Sequence, residues 1–247
     1  MEPIGLIAAM TQESNALLGC IQGGRPIALG LFCGHSFELC GQTCVLITSG
    51  MGVQRAREAA QTLVEMVAPR RLISFGIAGA VESDLGIGDV VMAEAVCRLE
   101  QGVIGFPLPL EPWPEPAREA AARALTRRGA RLWAGTAVTT AGSQVAEGQL
   151  GEMRHPILEM ETVGIAQVAA EKGIPLSSLR AISDGPCAPI PFNLGEVMDK
   201  DANLQAGRLL KAIIRHPQIV FQSGRLVRNS RIAANNVAVA LVAALSR

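Results

Sequence analysis

Short, uninterrupted apolar runs alternate with helix-period segments along most of this chain. Pro3 to Ala9 reads as a buried strand, and Val45 to Thr48 ends another at Ser49-Gly50-Met51-Gly52. Val53 to Val67 then carries Ala56, Ala60, Leu63 and Val67 on one helical face. Arg70 to Phe75 predicts the next strand, closed by Gly76-Ile77-Ala78-Gly79. The alternation continues with Asp89 to Val96 extended, Pro116 to Arg127 helical, Arg131 to Thr139 extended, Val163 to Glu171 helical and Pro175 to Ile182 extended. Strands without polar alternation are apolar on both faces, so both faces must be covered. The pattern therefore predicts a single α/β domain over residues 1–247, with a mixed, mostly parallel twisted sheet flanked by helices. Pro107 to Pro116 holds five prolines and predicts a rigid surface loop.

Composition narrows the possible functions. At 247 residues and 49% hydrophobic the chain can bury a large core. Its formal net charge is zero, which gives no global attraction to nucleic acid. The charge is uneven, however: residues 202–247 contain no Asp or Glu but seven basic residues, Arg208, Lys211, Arg215, Arg225, Arg228, Arg231 and Arg247. Arg208, Lys211 and Arg215 lie at helical spacing, as do Arg225, Arg228 and Arg231. Residues 198–247 are thus expected to form a basic amphipathic pair of helices able to meet an anionic membrane surface. No run approaches the roughly 20 apolar residues of a membrane span. The six cysteines form no C-x-x-C pair and the three histidines are dispersed. No metal site is expected, and the location expected is the cytoplasm, peripheral to the inner face of the membrane.

Candidate chemistry lies in Glu159-Met160-Glu161-Thr162, followed by Arg180-Ala181-Ile182-Ser183-Asp184. Two carboxylates two residues apart and a third after a strand suit a reaction that develops positive charge on a sugar and protonates its leaving group. Gly50-x-Gly52 at a helix start offers free N–H groups to an anion, but Arg55 stands where a dinucleotide fingerprint needs its third glycine.

Residues 158–184, "LEMETVGIAQVAAEKGIPLSSLRAISD", resemble the signature of the nucleoside phosphorylase and nucleosidase superfamily, especially its methylthioadenosine/adenosylhomocysteine nucleosidases. "IGLIAAMTQESNAL" resembles the opening strand and loop of those enzymes, and "LISFGIAGAVESDLGIGDVVMAEAV" their second glycine motif. The resemblance implies that Asp184 protonates the adenine N7 with Ser183 orienting it, and that Glu161 binds the ribose hydroxyls. It also implies that Met160 packs on the sugar and that Glu13 activates water. Bland readings of the same residues are a helix-start charge for Glu13, a turn for Ser183 and a helix cap for Asp184. The resemblance further implies that Gly79, Gln144 and Val145 fall in base-binding stretches and that Phe192 reaches the 5′ side, while Gly52 with Arg55 is a candidate water or phosphate site.

Some positions depart from that pattern. Ile77 replaces a usual Ser, and Ser143 and Gln144 stand where an aromatic and an aliphatic residue are customary. The tail "GRLLKAIIRHPQIVFQSGRLVRNSRIAANNVAVALVAAL" is similar to that of hopanoid-associated phosphorylases. That similarity implies adenosylhopane as a lipid-linked substrate, cleaved to adenine and ribosyl or phosphoribosyl hopane. A methylthioadenosine/adenosylhomocysteine nucleosidase and a non-catalytic nucleoside-binding protein are the alternatives. The implied partners are a small or lipid-linked adenine nucleoside and further copies of the chain in a homo-oligomer. No cofactor is implied, with phosphate a candidate co-substrate.

Overall fold

The structure, a computed structural model, describes residues 2–140, 145, 148–186 and 218–246, the side chains of 218–223 excepted. Eleven strands form one sheet among the described residues. In chain order they are β1 Ile4–Ala8, β2 Arg25–Leu29, β3 Phe32–Leu39, β4 Gln42–Thr48, β5 Arg71–Ala80 and β6 Val90–Glu100, then β7 Val103–Ile104, β8 Leu108–Pro109, β9 Leu132–Thr140, β10 Pro156–Glu159 and β11 Leu176–Asp184. The described helices are α1 Thr11–Leu18, α2 Val53–Val67, α3 Glu115–Thr126, α4 Thr162–Lys172 and α5 Gln218–Leu245.

The sheet order is β10-β9-β6-β11-β5-β1-β4-β3-β2, and β10 also pairs with β5. That extra pairing closes five strands into a ring. Strands β4, β1, β5 and β11 run parallel, while β6 is antiparallel to β11. The mixed sheet read from the sequence is therefore present, with its parallel strands at the centre.

Strand side chains alternate between two apolar layers. Leu6, Leu46, Ile73, Phe75, Leu179 and Ala181 face α1, α3 and α5, whose Leu17, Ala121, Leu125, Val237 and Leu241 complete that core. Ile7, Ile47, Leu72, Val91 and Ile182 face α2 and α4, meeting Ala56, Ala60, Leu63, Ile165 and Val168. Covering both faces explains why these strands show no polar alternation, and each fully buried aliphatic side chain contributes about 1.5–3 kcal/mol.

Several elements differ from the sequence expectation. The β2–β3 hairpin was not anticipated because its side chains are largely half-buried or exposed and give little periodic signal. Residues 11–18, expected as loop, form α1. The strand expected to close at Gly76 continues as β5 to Ala80. Its glycines do not end it, because Gly79 and Ala80 find a second partner in Leu158 and Ile157 of β10. Of the expected basic helix pair, Arg208, Lys211 and Arg215 lie outside the described residues. Arg225, Arg228 and Arg231 sit on the single long helix α5, whose second half belongs to the core instead of standing apart from it.

Candidate active site

The site forms where β1, β5, β10 and β11 deliver their C-terminal ends. Glu13 enters from the first turn of α1, just after β1. Its Oε2 accepts the Met10 N–H at 2.9 Å and its Oε1 accepts the Ile77 N–H at 2.9 Å. Gly76 lets the carboxyl lie against β5, since a Cβ there would stand 2.8 Å from Glu13 Cδ and 3.1 Å from an Arg180 guanidinium nitrogen. The Ile77 departure from the usual Ser is thus a change of side chain at a position whose backbone N–H still holds Glu13. Glu13, Glu159, Glu161 and Arg180 are all more than nine-tenths buried.

Glu159 and Arg180 organise the cluster. Arg180 donates from Nη2 to Glu159 Oε2 at 3.1 Å, Thr162 Oγ1 at 3.0 Å and Ser74 Oγ at 2.8 Å. Glu159 Oε2 also accepts the Glu161 N–H at 3.0 Å, the Thr162 N–H at 2.7 Å and the Thr162 hydroxyl at 2.7 Å, and Oε1 accepts the Thr139 hydroxyl. Glu159 therefore fastens the β10–α4 turn onto β11 and sets the direction in which Glu161 leaves it. Burial by itself would raise the Glu159 pKa. The Arg180 charge and the hydroxyl and backbone donors outweigh it and hold the carboxyl below the usual range.

Glu161 is the N-cap of α4, yet its carboxyl turns to α2. Oε1 accepts the N–H of Gly52, the N-cap of α2, at 3.0 Å. Gly164 permits this, because a Cβ there would collide with the Val53 backbone and push the two helix starts apart. The anion expected at the Gly50-x-Gly52 turn is thus the protein's own carboxylate, and the Gly52 N–H is already engaged. Arg55 lies along Gly50, its Cδ 2.9 Å from where a Cβ would stand. Burial, then the Glu159 charge, push the Glu161 pKa up to about 7 against the opposing pull of Arg180 and the Gly52 N–H. Burial likewise raises Glu13, with Arg180 pulling it back. Three buried carboxyls share one guanidinium, so their protons are coupled and the cluster does not ionise fully near neutrality. By linkage, Glu159 stabilises the fold above the ordinary carboxylate range and loses that contribution as pH falls through its depressed value. The Glu161 contribution has the opposite sign, being fully present below 4.5 and lost as pH rises through about 7.

Asp184 ends β11 beside Gly79, with which it is in register. Ser183 Oγ donates to Asp184 Oδ1 at 2.6 Å and lies 3.3 Å from the Ala78 carbonyl. Gly79 leaves room for Asp184, whose Oδ2 would be 2.8 Å from a Cβ there. Burial raises the Asp184 pKa and the Ser183 hydroxyl opposes it. Arg180 pairs with Gly76 and Asp184 with Gly79 across β5 and β11. The Glu13 end and the Asp184 end of this strip therefore stand about 10 Å apart at 3.3 Å per residue, room for one ribosyl group with a water beside it.

Glu13, Glu161, Ser183, Asp184 and Gly79 are thus gathered around the end of one strand pair, with Met160 half-buried next to Glu161. Val145 is half-buried against the cluster of Cys97, Leu99, Val138 and Leu150. Gln144 and Phe192 lie outside the described residues. In the sequence Glu159 stands out only as one of two candidate carboxylates, and Arg180 has no evident role. The available signal was an arginine in the middle of a strand whose other charged residue is its last, Asp184, a position that demands a buried anion.

Comparison with known proteins places this geometry in a family. The model of the Phosphorylase superfamily matches residues 3–215. A 5′-methylthioadenosine/S-adenosylhomocysteine nucleosidase of Maridesulfovibrio salexigens is 26% identical over 196 residues, 73% of this chain and 85% of the relative. The fold matches the nucleosidase of the same name from Neisseria meningitidis, solved with methylthio-immucillin-A, with a TM-score of 0.71 at 21% identity, covering 100% of this chain and 99% of that one. It also matches the native futalosine hydrolase of Helicobacter pylori with a TM-score of 0.69 at 17% identity, covering 99% and 97%. With a family model spanning every strand and every carboxyl of the site, this chain belongs to the Phosphorylase superfamily.

Proposed function

We propose that this protein hydrolyses the N-glycosidic bond of a 5′-substituted adenine nucleoside. The observation that carries the reading is the meeting of Glu13, Glu161 and Asp184, all shifted toward the protonated form, around the Gly76 to Gly79 strip of β5. Departure of adenine leaves an oxocarbenium-like ribosyl group, so the base needs a proton, the sugar a nearby negative charge and C1′ a nucleophile. Asp184 holds the proton for N7, oriented by Ser183. Glu161 accepts the ribose hydroxyls and places carboxylate charge beside the developing cation. Glu13 takes the proton of the attacking water. Arg180 and Glu159 keep these groups in place.

Water is favoured over phosphate because of the local charge. A phosphate dianion would face three carboxyls with one buried guanidinium already bound to Glu159, and the Gly52 N–H is occupied by Glu161. Phosphorolysis requires Arg55 to turn from Gly50 toward the anion.

The 5′ substituent proposed is the hopanoid group of adenosylhopane. Support for it comes from the similarity of residues 207–245 to the hopanoid-associated phosphorylases and from the departures at Ile77, Ser143 and Gln144. Supplied with adenosylhopane in detergent, the purified protein is expected to release adenine at a rate unaffected by phosphate, and to act poorly on methylthioadenosine. Release from methylthioadenosine alone would reassign the chain as a small-substrate nucleosidase, as its relatives' names suggest. Strict phosphate dependence would make it a phosphorylase, and no release from either nucleoside would leave a binding protein.

The pH profile tests the role of Glu161 separately. Its carboxyl accepts ribose hydroxyls only when ionised, and it titrates at about 7. The value of kcat/KM is therefore expected to carry an ascending limb that Glu161 bends near 7, with loss of the Asp184 proton setting the descending side. Glu161→Gln is expected to abolish that limb together with most of the activity. A profile unchanged in Glu161→Gln would remove Glu161 from sugar binding.

A further inference from the structure

The orientation of α5 carries an inference about the surface around the site. Asn236 Nδ2 donates to the Gly88 carbonyl at 2.8 Å, and the Gly88 N–H donates to Ile182 at 2.8 Å. Asn236 therefore lies level with the end of β11 that bears Ser183 and Asp184. At the opposite end of the helix, the Leu245 carbonyl accepts Gln42 Nε2 at 3.2 Å, at the first residue of β4. The helix thus runs antiparallel to β1, β4, β5 and β11, and residues before Asn236 extend past the edge of the sheet where the carboxyls gather. Arg225 stands about 16 Å beyond Asn236 along the helix axis at 1.5 Å per residue.

Burial follows this geometry. Residues from Ala233 onward are mostly core, whereas Arg225, Val227, Arg228 and Arg231 are exposed, Val227 to 65%. At about 100° per residue the three arginines occupy one arc of the helix, with Val227 at its border. Arg127 and Arg128, exposed at the end of α3, join the same end of the molecule through the 2.7 Å bond from Arg128 Nε to Asn236 Oδ1. Asp89, at this end of the sheet, is paired with Arg131 at 3.1 Å. Residues 202–247 supply no acid to neutralise the arginines. No described helix is long and apolar enough to cross a membrane, so the surface is one for docking and not for insertion across a bilayer.

We propose that the arginine face of α5 docks the protein on an anionic phospholipid surface, with the active-site edge of the sheet turned toward the bilayer. Arginines pair with headgroup phosphates, Val227 reaches the headgroup boundary, and a membrane-resident nucleoside meets the carboxyl cluster without leaving the interface. The proposal rests on the functional reading above for its purpose, but binding and catalysis are measured independently.

The full-length protein is expected to co-sediment with vesicles of equal parts phosphatidylglycerol and phosphatidylcholine, and not with pure phosphatidylcholine. Each surface arginine contributes about fivefold in affinity, so R225Q/R228Q/R231Q is expected to bind on the order of 100-fold more weakly. Because these side chains are exposed, the triple variant should melt like the parent and cleave a detergent-solubilised or soluble adenine nucleoside at the parental rate. Added salt should release the parent protein. Equal vesicle binding by parent and variant, equal binding to both vesicle types, or no binding overturns the proposal. So does tighter, arginine-dependent binding to duplex DNA, which would make this a nucleic-acid surface. Vesicle binding with no adenine release would leave the docking intact and sink the catalytic reading instead.

Discussion

Asp184→Asn is expected to lower the rate of adenine release by about 10²–10⁴-fold, the usual contribution of a positioned general acid, while the circular dichroism spectrum and melting temperature stay close to the parent's. Asn is isosteric with Asp and can still accept the Ser183 hydroxyl that now bonds Asp184 at 2.6 Å. What it lacks is a proton to give. Burial keeps the Asp184 carboxyl protonated further up the pH scale than an exposed Asp, which suits an acid that must be loaded before the base leaves. A substrate whose base departs without N7 protonation should be spared by the substitution, so the loss should shrink as leaving-group acidity rises. Parental turnover of an adenine nucleoside by the Asn variant would show that the proton comes from elsewhere.

Arg180→Met should be the most damaging single change to the fold among the site residues. Removing one partner of a buried pair typically costs about 3–5 kcal/mol, because the other charge stays buried without compensation. For a chain of this length that corresponds to a fall in melting temperature of roughly 6–20 °C. The pH dependence identifies the cause. With Arg180 present, the Glu159 carboxyl is held below its ordinary value of 4.5. Without it, burial is opposed only by the hydroxyl and backbone donors, and the Glu159 pKa moves upward. The deficit relative to the parent should therefore be large at neutral pH and shrink as pH falls and Glu159 takes up a proton. Adding Glu159→Gln to Arg180→Met should recover part of the lost stability and none of the activity, since Glu13 and Glu161 would still lack their shared cation. An Arg180→Met protein that melts with the parent at neutral pH would contradict the electrostatic account of the cluster.

Much of the architecture was legible along the chain for a local reason. Helix α2 matches its expected bounds of Val53 to Val67, because Ala56, Ala60 and Leu63 recur at helical spacing between a glycine turn and a left-handed Ala68. The parallel strands were legible because burial on both faces leaves mostly apolar residues with no regular polar alternation. The β2–β3 hairpin was not, since exposed and half-buried edge strands tolerate mixed side chains. Nor was the continuation of β5 through Gly76 and Gly79, where each glycine serves a neighbouring carboxyl. In sequence such residues look like strand breakers.

The candidate site divides in the same way. Glu13, Glu161, Ser183 and Asp184 could be named as candidates because they stand in short motifs that resemble a known family, and the fold brings them to neighbouring strand and helix ends. Their protonation states could not be named. The opposite shifts of Glu159 and Glu161, two residues apart, arise because Arg180 and the hydroxyl and backbone donors outweigh burial at Glu159, whereas burial and the Glu159 charge prevail at Glu161.

The sequence by itself determined the alternation of buried strands and amphipathic helices, the identity of the acid groups and the absence of negative charge in the tail, since each of these is a property of residues read in order. The tertiary structure alone decided that β10 closes onto β5, that one guanidinium serves three carboxyls and that the arginines of α5 stand at the active-site edge. Those outcomes depend on contacts between segments far apart in the chain, and on the loss of water around charges that no local pattern records.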